Sequence, residues 1–386
     1  MEHGGGVGAK RIIDASGLQG LLDRLHARGY RVIGPTVHDG AIVYDSVSRI
    51  DELPRGWTDR QAAGRYRLER RDDGACFGFA VGADSWKRLL HPPRETVFRL
   101  RRTGAGFASE HDAAPAPPRF ALLGARACEI AAIAIQDKVF LGSALRDGGY
   151  ARRRDGNFIV AVNCSEPGGT CFCTSMGTGP KATSGFDLAL TELLAPEHRF
   201  LVEIGTAGGA EMLGALDTRP APPDAIAAAE RHSERCAASM SRAFDADLAA
   251  RRLRAEPEHA RWDQIADRCL SCTNCTMVCP TCFCTTLTDT SDLTGGIAMR
   301  ERNWDSCFTL DFSHLSGGSV RRSTRARYRQ WLTHKLSTWI DQFGTSGCVG
   351  CGRCATWCPV GIDIAVEAAA FAADPAAAPG SPDGRG

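Results

Sequence analysis

Cys269-Leu270-Ser271-Cys272-Thr273-Asn274-Cys275-Thr276-Met277-Val278-Cys279-Pro280 and Cys348-Val349-Gly350-Cys351-Gly352-Arg353-Cys354-Ala355-Thr356-Trp357-Cys358-Pro359 are the two stretches that decide the architecture of this chain. Each sets four cysteines at one spacing and ends on proline. The chain holds 17 cysteines in 386 residues, an odd count that makes a poor disulfide framework. The first residues, Met1-Glu2-His3-Gly4-Gly5-Gly6, lack a basic segment followed by an apolar run, so no secretory signal is expected. The expected compartment is cytoplasmic, where thiols stay reduced and clustered cysteines serve as metal ligands or catalytic groups.

The spacing is that of bacterial-type [4Fe–4S] sites, and its physical basis is reach. Three thiolates on a tight loop meet three irons of one cubane, whereas the fourth starts a helix that points away and serves the other cluster. Cys269, Cys272, Cys275 and Cys358 are therefore expected to hold one cluster. Cys348, Cys351, Cys354 and Cys279 are expected to hold the second. Pro280 and Pro359 suit the first turn after a fourth ligand. Zinc sites use paired C-x-x-C or cysteine with histidine, so two full copies of this run argue against zinc as they do against inert core thiols.

Outward from these motifs, Cys282 to Gly347 forms a long insertion that splits a ferredoxin-type module. Within it Tyr328, Trp331, Leu332, Leu336, Trp339, Ile340 and Phe343 recur at helical spacing, predicting one long helix from Val320 to Phe343. Residues 225–267, rich in Ala, Glu and Arg, predict a helical linker, and 372–386 a disordered tail. Upstream, Asp14–Ala27 predicts a helix with Ser16 as its cap, and Tyr30–Ile33 and Ala41–Tyr44 predict short strands. The Gly/Ala/Pro-rich stretch from Arg102 to Arg119 predicts an exposed loop. From Phe120 a strand–helix rhythm begins: Phe120–Gly124, helix Cys128–Phe140, strand Phe158–Cys164, helix Asp187–Ala195, strand Phe200–Gly205. The expected fold is an N-terminal α/β domain over 1–224, the linker, and a split, helix-inserted dicluster bacterial-type ferredoxin domain over 268–371, an α+β or α/β chain as a whole.

The other cysteines pose a second question. Cys128 falls at a helix start, where a thiol can be activated. With Cys164, Cys171 and Cys173 it either holds a third cluster at a sheet edge or packs as a reduced core thiol. Thr170-Cys171-Phe172-Cys173-Thr174 recurs as Thr281-Cys282-Phe283-Cys284-Thr285. Cys282, Cys284 and Cys307 either pack around the first motif or add ligands, while Cys76 and Cys236 stand isolated and are expected to be structural. Gly205-x-x-Gly208-Gly209 lacks a full dinucleotide fingerprint and reads as an ordinary turn. Arg321, Arg322, Arg325, Arg327 and Arg329 form either a solvated face or a docking surface for an acidic partner. A net charge of +1 gives no basis for nucleic-acid binding, and no run is long and apolar enough for membrane insertion. No nucleophile–base motif is present, which disfavours a hydrolase.

These residues carry a family resemblance. Arg268–Cys275, Val278-Cys279-Pro280-Thr281-Cys282-Phe283-Cys284, Trp304-Asp305-Ser306-Cys307-Phe308, Gly124–Glu129 and Gly169–Gly177 resemble the iron–sulfur β subunit of cytoplasmic NAD(P)-linked [NiFe]-hydrogenases, the sulfhydrogenases. The chain is similar also to the iron–sulfur electron-transfer component of anaerobic sulfite reductase. The likeness runs from about residue 75 to 370. It implies an electron relay among hydrogenase large and small subunits and a flavin-bearing NAD(P)-binding subunit, without catalysis by this chain itself. The alternatives are a relay in a sulfite reductase, a docking scaffold that carries no current, and an independent sulfur-compound reductase using Cys128 or Cys171.

Overall fold

The computed structural model describes residues 5–110 and 117–373. Part of the predicted 102–119 loop and most of the predicted tail lie outside these residues.

Fourteen strands carry the argument: β1 (Lys10–Ile13), β2 (Arg31–His38), β3 (Ala41–Ser46), β4 (Trp57–Ala62), β5 (Arg65–Arg70), β6 (Arg94–Thr103), β7 (Gly106–Ser109), β8 (Phe120–Ala125), β9 (Phe158–Val162), β10 (Leu188–Leu193), β11 (Arg199–Ile204), β12 (Arg219–Pro220), β13 (Thr285–Ser291) and β14 (Ile297–Trp304). The main sheet runs β12-β1-β11-β10-β9-β8-β2-β3. Its centre, β10-β9-β8-β2, is parallel, and antiparallel strands flank it. Central strands covered on both faces read as near-continuous apolar runs. In β9, Phe158, Val160 and Val162 pack toward Leu18, Leu21, Leu22 and Leu25 of helix Ala15–Ala27. Ile159 and Ala161 pack on the opposite face with Ile130 and Ile133 of helix Ala127–Leu141.

Three expectations need correction. Asp187–Ala195 is not a helix: Leu188–Leu193 is the central strand β10, every residue of it buried. A short apolar run fits either state by pattern alone, and burial between two neighbouring strands decides it. The first helix is capped by Asp14 rather than Ser16; its carboxylate accepts the Gly17 N–H at 2.8 Å. The 102–119 segment is part strand, because Arg94–Thr103 and Gly106–Ser109 form a hairpin.

Helices Pro223–Ala238, Ala246–Ala255 and Arg261–Ala266 follow the sheet. The stretch between the two cysteine motifs holds a hairpin as well as a helix. β14 pairs with β13 and, on its other edge, with β6, giving the order β13-β14-β6-β7. The predicted long helix starts later, at Thr324, where Ser323 Oγ accepts the Ala326 N–H at 3.1 Å. It is interrupted at His334–Thr338 by a π-helical turn before resuming at Trp339–Phe343. Helix Ile364–Ala373 then closes the chain as described, taking in the first two residues of the predicted tail.

Candidate iron–sulfur centre

The two motif loops repeat one backbone shape. Ser271 and Thr273 have φ of 51° and 70°; Gly350 and Gly352, at the matching positions, have 64° and 75°. The Ser271 N–H points at Cys269 Sγ and the Gly350 N–H at Cys348 Sγ, each at 3.4 Å. Short helices, Asn274–Met277 and Arg353–Thr356, then carry the chain to the fourth cysteine. Peptide N–H groups aimed at sulfur stabilise thiolate, the form that binds iron.

The glycines of the second loop answer to packing. A Cβ on Gly350 would fall 2.6 Å from the Cys173 backbone, and one on Gly352 would fall 2.4 Å from Thr170 Oγ1. The first loop has room for Ser271 and Thr273, and Cys272 in it is exposed. Cys269, Cys272, Cys275 and Cys358 line one pocket with Phe308, Tyr328 and Trp331. The Ile362 N–H donates to Cys358 Sγ at 3.3 Å. Burial first, then neighbouring sulfurs (Cys269, Cys358 and Cys272), push the Cys275 thiol well up. Cys354 responds likewise, to burial and then to Cys348, Cys351 and Cys279. Each fourth cysteine thus lies near the other motif's first three.

Both Thr-Cys-Phe-Cys segments press on the second loop. Phe172 N–H donates to Gly350 O at 2.8 Å, and Thr178 Oγ1 to Val349 O at 2.7 Å. On the other side Thr281 Oγ1 donates to Gly347 O at 2.6 Å. The internal repeat is therefore a two-sided clamp. Lys335, 2% exposed, projects from the π-helical turn into the second side of this clamp. Its Nζ lies 3.4 Å from Cys279 Sγ, 3.0 Å from Thr281 Oγ1 and 3.1 Å from Gly347 O. Burial works against the Lys335 charge, but Cys279, Cys282 and Cys348 outweigh it and hold its pKa well above the ordinary value. A hydrogen bond from the Cys282 thiol, opposed by burial and aided by Lys335, Thr281 and Lys87, holds Cys279 well below the usual thiol range. Lys87, also buried, donates to the carbonyls of Thr276, Met277 and Cys282 at 3.5, 3.3 and 3.3 Å.

Sequence reasoning missed these lysines and one ion pair. Arg353, inside the second motif, and Glu129, at the start of helix Ala127–Leu141, form a salt bridge with side chains 0% and 1% exposed. Tyr44 Oη donates to the same carboxylate at 2.7 Å, and Arg353 Nε donates to Gly82 O at 2.9 Å. The sequence did hold a signal for Lys335: it lies four residues after Trp331 and four before Trp339, on the apolar side of its helix.

The remaining nine cysteines fall into four settings. Cys128, Cys164, Cys171 and Cys173 gather behind the second loop near Cys351, and Cys236, expected to be isolated, joins Cys164 and Cys173. Burial, followed by Cys351 and Cys173, pushes the Cys128 thiol well up despite its place at a helix start. Cys284 and Cys307 meet at the base of the β13–β14 hairpin, and the bond from Cys307, against burial, lowers Cys284 to about 7. Cys282 stands against Cys279. Cys76 is not isolated either, since its ligand atom and those of Glu192 and His198 lie within 4.8 Å of one another. Glu192 is already engaged by the N–H groups of Cys76 and Phe77 at 2.6 and 2.9 Å and by His198 at 2.7 Å, which accounts for a buried carboxylate without a metal. Gly205 opens an ordinary turn into helix Ala207–Gly214, capped by Thr206.

Thiol sets on two matched loops, peptide donors aimed at sulfur and apolar walls fit [4Fe–4S] chemistry. They define an iron–sulfur protein, and residues 268–362 match the 4Fe-4S dicluster domain family. Over 348 residues the chain is 31% identical to sulfhydrogenase 2 subunit beta of Pyrococcus furiosus, a match covering 89% of this chain and 92% of that protein. The chain belongs to the sulfhydrogenase β-subunit family. Among the described residues no helix is long and apolar enough to cross a membrane.

Proposed function

We propose that the chain is the electron-transferring iron–sulfur subunit of a hydrogenase or sulfur-reductase complex. Two [4Fe–4S] clusters would be held, the first by Cys269, Cys272, Cys275 and Cys358, the second by Cys348, Cys351, Cys354 and Cys279. The observation that carries this reading is the pair of matched loops, one facing solvent at Cys272 and one buried behind the Thr-Cys-Phe-Cys clamp. A [4Fe–4S] cluster takes up and releases single electrons over a wide range of potentials. The chain's own part is to seat the two sites in one rigid unit, with one edge open to a partner. The partners are a hydrogenase large and small subunit pair and a flavin-bearing NAD(P)-binding subunit; the name of the Pyrococcus relative favours these over a sulfite-reducing partner. The organisation is an α/β domain at 1–224, a helical linker at 225–267 and a split ferredoxin-type module at 268–371.

Two measurements test this reading. Anaerobically purified chain should contain about eight irons and give two [4Fe–4S]⁺ EPR signals. About twelve irons would instead make Cys128, Cys164, Cys171 and Cys173 a third site. Cys275→Ser in the assembled complex should abolish hydrogen-driven NAD(P) reduction; unchanged reduction with intact assembly would leave the chain a docking scaffold.

A further inference from the structure

We infer that Lys335 is a positioning residue that makes the two sites electrostatically unequal and gives the second the higher reduction potential. The inference rests on the proposed ligand assignment. Lys335 offers three donors to three acceptors: a ligand sulfur, a threonine hydroxyl and a carbonyl. An ammonium fills that arrangement, whereas a neutral amine would turn its lone pair on one acceptor. The side chain is 2% exposed, so water does little to screen its charge. Its position is fixed by the backbone. The π-helical turn at His334–Thr338 leaves the Lys335 carbonyl to accept the Gly347 N–H at 2.8 Å. Gly347 in turn lies against the Trp339 ring, where a Cβ would come within 2.3 Å. Helix and second motif are thereby tied together at the residue that carries the charge. π-turns are often found where a helix is bent to a functional purpose.

Among the described residues no cation donates to a ligand sulfur of the first site, whose sulfurs take peptide N–H groups instead. Arg327, itself buried beside the first loop, reaches Ser271 Oγ at 3.2 Å and the carbonyls of Arg321 and Arg322 at 3.1 and 2.7 Å rather than a sulfur. Cys272 is exposed, so solvent screens that site. Reduction adds a negative charge, and a fixed buried cation at a ligand sulfur favours the reduced form. Electrons entering at the exposed first site would then settle on the buried second one.

The test is EPR-monitored redox titration of the anaerobically purified full-length chain. Wild type should show two midpoints, with the higher belonging to the second cluster; Cys272→Ser, which alters only the first cluster's spectrum, makes that assignment. Lys335→Met should lower the higher midpoint alone, shifting the reduced-to-oxidised ratio by about tenfold or more, or about 59 mV for a one-electron centre. Lys335→Arg should restore most of the shift. Should Lys335→Met fail to load the second cluster, Lys335→Gln, which removes the charge but keeps an N–H donor, supplies the same readout. Full iron content with both midpoints unmoved in Lys335→Met, or in Lys335→Gln where that variant is the one read, overturns the inference and leaves the two-cluster reading intact. Iron content well below eight in wild type would instead defeat the two-cluster reading.

Discussion

Glu129 shows how one residue ties the two halves of the chain together. Its carboxylate holds Arg353 of the second cysteine motif in a fully buried salt bridge and takes further hydrogen bonds from Tyr44 and from the Arg126 N–H at 3.0 Å. Removing one partner strands the other charge in the interior. Glu129→Ala should therefore cost about 3–5 kcal/mol of stability, read from urea unfolding of the loaded protein. Glu129→Leu combined with Arg353→Met should cost less than either single change, because no charge is left unpaired. A double variant as unstable as the sum of the singles would show that the pair contributes through its other hydrogen bonds instead.

At the scale of the loop, the same backbone is built under two constraints. Positive φ at four matched positions is met by Ser271 and Thr273 in one copy and by Gly350 and Gly352 in the other. The first copy bears side chains at a strain cost because nothing occupies their space. The second cannot, because the Cys173 backbone and Thr170 already stand there. Thr273→Gly should be neutral or stabilising by up to about 1 kcal/mol, since glycine adopts the left-handed region without a Cβ clash. Gly352→Thr should prevent loading of the second cluster, visible as loss of about half the iron. Equal iron in Gly352→Thr and wild type would mean that the Thr170 segment yields.

Across the whole molecule, the hairpin β13–β14 joins a sheet with β6 and β7, so the C-terminal insertion is stitched to the N-terminal region. His91 sits at that seam. It is 0% exposed and packs 4.8 Å from Phe140 and 6.2 Å from Trp304 between ring centroids. Among the described residues neither of its ring nitrogens has a hydrogen-bond partner. Burial first, then the charges of Arg302 and Lys87, opposed by Asp147 and Glu95, lower its pKa to about 3 from the ordinary 6.5. Below pH 6.5 the unfolded chain binds a proton that the folded chain refuses, so stability is complete above that value and falls as pH drops toward 3. The loss from this residue is at most about 1.4 kcal/mol per pH unit. His91→Phe should flatten the profile between about pH 6.5 and 5, where few carboxylates have yet protonated. A slope as steep in His91→Phe as in wild type would place the acid sensitivity elsewhere.

Covalent spacing made the two cysteine runs and the family resemblance legible before any fold was known. Ligand reach along a loop is a local property, as is the continuous apolarity of Phe158–Val162. Leu188–Leu193 was not legible, because six buried residues fit a helix or a central strand until their neighbours are known. Nor were Glu129 and Lys87, while Lys335 showed only as a lysine on the apolar side of its helix. Each carries a charge in a setting that only distant chain segments create, and Cys236 and Cys76 acquire their neighbours in the same way. Which cysteines form one loop motif is written in the order of residues, since it depends on steps of a few positions. Which of them sits beside a buried cation is settled only by the folded chain, because desolvation and Coulomb interaction depend on separation in space rather than along the chain.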